Sequence, residues 1–143
     1  MPIEELHGIW ELVTIYGETE DGARQYPFTE HPSGRLTYHP EGYMSAFISS
    51  PDRPMFSGDA RQGTLEEIVA AFHSFEAYAG SYKVDPEQGI VTHYVTMARL
   101  PHYENADLVR YFTLDGDLLK IRSAPFQYQG QTVVVYANWR KVM

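Results

Sequence analysis

Ile90-Val91-Thr92-His93-Tyr94-Val95-Thr96-Met97-Ala98-Arg99-Leu100 is the stretch whose reading decides the architecture. It alternates, and it is rich in the β-branched and aromatic residues that suit a pleated, half-buried surface. Side chains two apart share a face of a strand. Val91, His93, Val95 and Met97 therefore form one apolar face, and Thr92, Tyr94 and Thr96 the other. Pro101 stops the strand, because it has no N–H for a ladder. His102 to Ala106 reads as a loop, and Asp107 to Leu114 as the next strand. There Leu108, Arg110, Phe112 and Leu114 share a face. Two successive strands thus each send one polar side chain, His93 and Arg110, to the apolar side.

The same grammar runs through most of the chain. Gly8 to about Glu18 reads as a strand, turning at Glu20-Asp21-Gly22 into a short strand that ends by Tyr26-Pro27. Arg35 to Tyr38 and Tyr43 to Ser49 are joined by His39-Pro40-Glu41-Gly42, with Pro second and Gly fourth as a type I turn prefers. Tyr38 shares a face with Leu36, and Met44 with Ala46 and Ile48. Ser81 to Asp85 precedes the decisive strand, with Tyr82 and Val84 on its apolar face. Asp117 to Ser123 and Gln131 to Val142 follow.

The period changes once. Ser50 to Gly63 is a long loop rich in Pro, Gly, Asp and Arg, the kind that serves as a lid or binding loop. Thr64-Leu65-Glu66-Glu67 then carries the capping-box pattern. Leu65, Ile68, Val69, Phe72, Phe75 and Ala79 recur at helical spacing up to Gly80, a natural helix stop. The spacing predicts one helix of about four turns, with Phe72 and Phe75 in its packing stripe. Nine antiparallel segments with one inserted helix favour an all-β, closed, up-and-down barrel of eight to nine strands. Such a barrel has no exposed edges and holds one small ligand.

Composition narrows the function. At 143 residues the chain is read as one domain, residues 1–143. Eleven basic residues against 19 acidic, a net charge of −8, argue against nucleic acid and against an anionic membrane surface. There are no cysteines, which removes disulfides, thiolate nucleophiles and zinc fingers of the cysteine type. The N-terminus lacks a secretory signal and no window is apolar enough to span a membrane, so a cytoplasmic location is expected. Phosphate-binding, dinucleotide, hydrolase-elbow and zincin motifs are missing. His73 with Glu76 and His102 with Glu104 each lack a third ligand by spacing, so no metal and no cofactor is expected.

The ends of the chain carry a resemblance. Gly8-Ile9-Trp10 opens the first strand and Trp139-Arg140 closes the last. In a closed meander these ends adjoin, so the Trp10 indole and the Arg140 guanidinium can meet. That pairing resembles the lipocalins. The ordered set Gly8-Ile9-Trp10-Glu11-Leu12-Val13, Tyr38-His39-Pro40-Glu41-Gly42-Tyr43-Met44-Ser45-Ala46, Tyr78-Ala79-Gly80-Ser81-Tyr82, His93, Arg110 and Trp139-Arg140 more closely resembles the small, cysteine-free, microbial lipocalin-like domain family. The chain departs from secreted lipocalins in its lack of disulfides and its mid-chain helix, so their carrier role does not transfer automatically.

An imidazole and a guanidinium in an apolar hollow are costly unless satisfied, and they are the polar anchors a ligand site uses. Expected cavity walls are Tyr38, Met44, Ala46, Tyr78, Val95, Met97 and Phe112, with Phe72 if the helix plugs the barrel. A buried His93 stays neutral and can act as a base. Arg110 can hold a carboxylate, phenolate or enolate, or pair with Glu11 or Glu76. Tyr82 or Tyr38 can return a proton. These parts fit cofactor-free acid–base chemistry of the isomerase, cyclase, dehydratase or lyase type, as met in secondary metabolism, on a small, mostly apolar or aromatic molecule. A non-catalytic carrier or sensor would use the same cavity, and a partner-binding module would use the Ser50–Gly63 loop. A closed barrel needs no partner, so monomer and homodimer both remain open.

Overall fold

Turn chemistry sets the strand pairings. The computed structural model describes residues 3–143. The strands are β1 (Gly8–Thr19), β2 (Arg24–Gln25), β3 (Ser33–Tyr38), β4 (Tyr43–Ser49), β5 (Phe75–Asp85), β6 (Ile90–Ala98), β7 (Asp107–Asp115), β8 (Leu118–Ser123), β9 (Phe126–Tyr128) and β10 (Gln131–Lys141). One helix, α1 (Leu65–His73), lies between β4 and β5. At the β3–β4 turn the Gly42 N–H donates to the His39 carbonyl at 3.0 Å, and Gly42 takes a positive φ of 97° that costs a glycine little. Long strands run antiparallel in the order β1-β3-β4-β5-β6-β7-β8-β10, and β10 pairs back onto β1. Eight strands therefore close the barrel. β2 and β9 are short outriggers on β1 and β10.

The helix is shorter than its apolar spacing predicts. The capping box forms as read: the Glu67 N–H donates to Thr64 Oγ1 at 3.2 Å, and the Thr64 N–H to Glu67 Oε1 at 2.8 Å. The helix then ends at His73, with Ser74 as its C-cap. Its last carbonyls are taken by arginines. Arg53 Nη2 donates to Ala71 O at 2.9 Å, and Arg99 Nη1 to Phe72 O at 2.6 Å. Phe75 to Ser81 are drawn instead into β5, because all of β4 needs a partner there, from Ser49 opposite Phe75 to Tyr43 opposite Ser81. Gly80 is no helix stop. It sits at a bulge against β6, where a Cβ would overlap the Tyr94 carbonyl oxygen. None of the α1 side chains is buried, so its stripe does not pack into the core.

The bulge also flips a parity. Ala79 lies opposite Met97 while Gly80 lies opposite Val95, so Thr96 is an extra residue on β6. Val91, His93 and Val95 face inward and are buried, whereas Met97 faces out, 64% exposed. The expectation that Met97 lines the cavity is therefore corrected.

One end of the barrel is closed by a short helical turn, Ile3–Leu6. Leu6 and Trp10 are fully buried there, and the Trp10 indole N–H donates to the Leu6 carbonyl at 3.0 Å. The cation over Trp10 is not Arg140. Trp10 lies opposite Lys141 in the β1–β10 ladder, and Lys141 Nζ sits 5.3 Å from the indole. Arg140 follows the inward Trp139, so it points out and pairs with Asp117 at 3.5 Å.

Candidate functional site

Large side chains fill the barrel unevenly. Trp10, Tyr38, Met44 and Tyr82 pack the closed end. Towards the other end the inner faces carry smaller residues, Ala46 on β4, Ala137 and Val135 on β10 and Ser123 on β8. Their small volumes leave a cavity of about 660 Å³. Ile15, Leu36, Ile48 and Ile121 supply its apolar walls, and Phe28, Tyr103 and Phe126 stand among the residues around it. Apolar walls with a few polar groups are the anatomy of a small-molecule site. A second depression, of about 430 Å³, runs along Glu11, Arg35 and Phe47, where Arg35 and Glu11 pair at 3.8 Å with both side chains exposed.

The polar wall of the main cavity rests on His93, which is 2% exposed. Both ring nitrogens are occupied. The Tyr38 hydroxyl lies 2.6 Å from Nε2 and the Tyr78 hydroxyl 2.8 Å from Nδ1. A neutral imidazole donates from one nitrogen and accepts at the other. Tyr38 is buried with no other hydrogen-bond partner, so its proton is satisfied only if it donates to Nε2. Nδ1–H then donates to the Tyr78 oxygen, and Tyr78 keeps its own hydroxyl proton for another acceptor. Tyr78 lines the cavity; Tyr38 and His93 stand behind it. The order Tyr38 to His93 to Tyr78 is thus a directed chain that ends as a donor at the cavity wall.

Electrostatics hold the chain neutral. Burial, reinforced by the positive charge of Arg110, drops the His93 pKa from 6.5 to about 3. Burial pushes the Tyr38 hydroxyl well above its ordinary value. It also raises Tyr78, with Arg110 beside it pulling in the opposite direction. His93 is therefore held neutral, with a tyrosine hydroxyl at each ring nitrogen.

Arg110 is half-buried in the cavity wall, opposite Ser123 in the β7–β8 ladder. Neither carboxylate considered from the sequence pairs with it. Glu76 is held by Arg99 at 3.4 Å and Glu11 by Arg35. Among the described residues, Arg110 makes no salt bridge. No three His, Asp or Glu side chains among the described residues gather as a metal site.

Of the other expected residues, Ala46 and Tyr78 line the cavity, while Tyr38, Met44, Val95 and Phe112 are buried in the packed core behind or below it. Tyr82 is not placed to give a proton to the cavity: its hydroxyl donates to the His39 carbonyl at 2.8 Å at the closed end. Phe72 is outside the barrel, exposed on α1 beneath the Arg99 guanidinium at 4.3 Å, because the helix lies over the surface and does not plug the mouth. Many lining residues were not foreseen, Tyr103, Ser123 and Trp139 among them. Tyr103 comes from the loop between β6 and β7 and meets the Tyr78 ring edge to face at 6.1 Å. Ser123 accepts the Val135 N–H at 3.0 Å. Trp139 lines the wall with its indole N–H buried and unpartnered. Inward parity on β8 and β10 signals the last two; nothing periodic marks Tyr103.

No curated protein matches the sequence. The crystal structure of a lipocalin-like protein from Bacteroides uniformis is similar over 96% of this chain and 99% of its own, at 14% identity and a TM-score of 0.49. A family model, the lipocalin-like domain, matches residues 7–142. With that match spanning all ten strands, the chain belongs to the lipocalin-like domain family.

Proposed function

We propose that the protein binds a small, mostly apolar or aromatic molecule inside its barrel. The observation that carries this reading is the 660 Å³ cavity, apolar in most of its lining and polar only where Tyr78, Arg110 and a few neighbours reach it. The experiment is native mass spectrometry of the purified protein for a co-purified molecule, with titration of the neutral fluorophore phenylnaphthylamine. Saturable uptake of one equivalent supports the reading. A protein that takes up neither overturns it.

A second reading, that the bound molecule is also transformed by cofactor-free acid–base chemistry, is favoured by the Tyr38–His93–Tyr78 chain. The chain delivers a proton at Tyr78, next to a cation that stabilises developing negative charge. In this reading Tyr78 is the acid, Arg110 the anion holder and His93 the positioning residue. Isomerisation, cyclisation, dehydration and retro-aldol steps can each use such a pair to protonate an enolate or a leaving oxygen. Incubation of the recovered molecule with protein in D2O tests it: deuterium uptake or a changed product, lost in Tyr78→Phe, supports an enzyme. Unchanged molecule after long incubation leaves a carrier or sensor.

A further inference from the structure

Arg110 holds a permanent charge in the wall of a largely apolar cavity, and no carboxylate of the described chain neutralises it. The two hydroxyls of the same lining, Tyr78 and Ser123, are free to donate. With Tyr38 donating to Nε2, Tyr78 accepts from His93 Nδ1–H and keeps its O–H to give. Ser123, directly across the ladder, spends a lone pair on the Val135 N–H and likewise keeps its proton. Two carboxylates share the cavity lining: Glu76 is already committed to Arg99, and Asp107, exposed at the start of β7, forms no salt bridge with Arg110. Low-dielectric walls strengthen the pull of such a cation on an anion.

We propose that the molecule bound here is an organic monoanion, a carboxylate or comparable singly charged oxyanion on an apolar scaffold. Its oxygens are received by Arg110 with Tyr78 and Ser123, and its scaffold lies along Ile15, Leu36 and Ile121. The inference rests on the cavity-binding reading and adds the charge. One guanidinium balances one negative charge, and the Glu76 and Asp107 carboxylates in the same lining disfavour a second, so dianions such as phosphate monoesters are selected against.

The test uses two fluorophores that share an aryl scaffold: neutral phenylnaphthylamine and its sulfonated counterpart, anilinonaphthalene sulfonate. The wild-type protein is expected to bind the sulfonate about tenfold more tightly than the neutral probe. Arg110→Met is expected to erase that preference by weakening the sulfonate alone. Arg110→Lys, which keeps the charge but loses the forked geometry, is expected to fall between. If Arg110→Met does not fold, the Lys variant and the salt dependence of sulfonate binding to the wild type read the same charge. Equal affinity for the two probes, or equal weakening of both by Arg110→Met, overturns the monoanion while cavity binding stands. Failure of both probes to bind overturns the cavity reading as well.

Discussion

Lowering the pH probes the interior through His93. An unfolded chain exposes this imidazole, which then titrates near 6.5, whereas the folded chain holds it to about 3. Below pH 6.5 the unfolded state therefore takes up a proton that the native state refuses. The stabilisation due to the neutral ring is complete above 6.5 and is lost progressively as pH falls towards 3. Each pH unit in that window costs about 1.4 kcal/mol, so a drop from about pH 7.5 to about pH 5 removes roughly 2 kcal/mol. Protonation would also displace the Tyr38 hydroxyl from Nε2. Other groups titrate in the same range, so the measurement is differential: urea unfolding at both pH values for the wild type and for His93→Gln. Glutamine accepts from Tyr38 and donates to Tyr78 without titrating. The wild type is expected to lose roughly 2 kcal/mol more than the variant on acidification. Parallel losses would show that the ring reaches solvent in the native state, and the directed chain would fall with it.

Arg110→Met removes the cation that helps to depress His93, so the His93 pKa is expected to rise, read from its imidazole resonances by NMR. Tyr82→Phe breaks only the bond to the His39 carbonyl; it is expected to cost about 1 kcal/mol in unfolding free energy and to leave probe affinity unchanged. Gly80→Ala drives a methyl into the Tyr94 carbonyl at the bulge, and roughly 3 kcal/mol or more of destabilisation is expected by chemical denaturation. Thr64→Ala removes the cap of a helix that buries nothing, so amide exchange in Leu65–His73 is expected to quicken while the global unfolding midpoint hardly moves.

The barrel is legible in the sequence wherever one local rule acts alone. Gly42 at the β3–β4 turn, the Thr64 cap and the alternation of Leu108, Arg110, Phe112 and Leu114 each lead to the structure they imply. Errors arise where two rules compete. Phe75 and Ala79 continue the helical spacing of Leu65 to Phe72, yet they also fit a strand, and the unpaired length of β4 decides between them. Met97 obeys the parity of His93 until the extra Thr96 reverses it, and a bulge leaves little mark in a single sequence. The site was half legible. His93, Arg110 and Tyr78 follow from parity and motif, but that Tyr78 reaches the cavity and His93 does not depends on the three-dimensional order of the hydroxyls. Tyr103 arrives from a loop without any period.

The seam between β1 and β10 has a consequence for biosynthesis. Two stretches from opposite ends of the described chain, Gly8–Thr19 and Gln131–Lys141, must find each other before the wall is complete. Their joining is a long-range step with a large loop to close, which slows folding relative to the local hairpins. During translation the hairpins of β3 to β8 can form as they emerge from the ribosome, but the vessel cannot shut until β10 has emerged as well. Until then β1 and β8 offer bare edges, and a molecule that fits the interior would reward closure by binding only the sealed form.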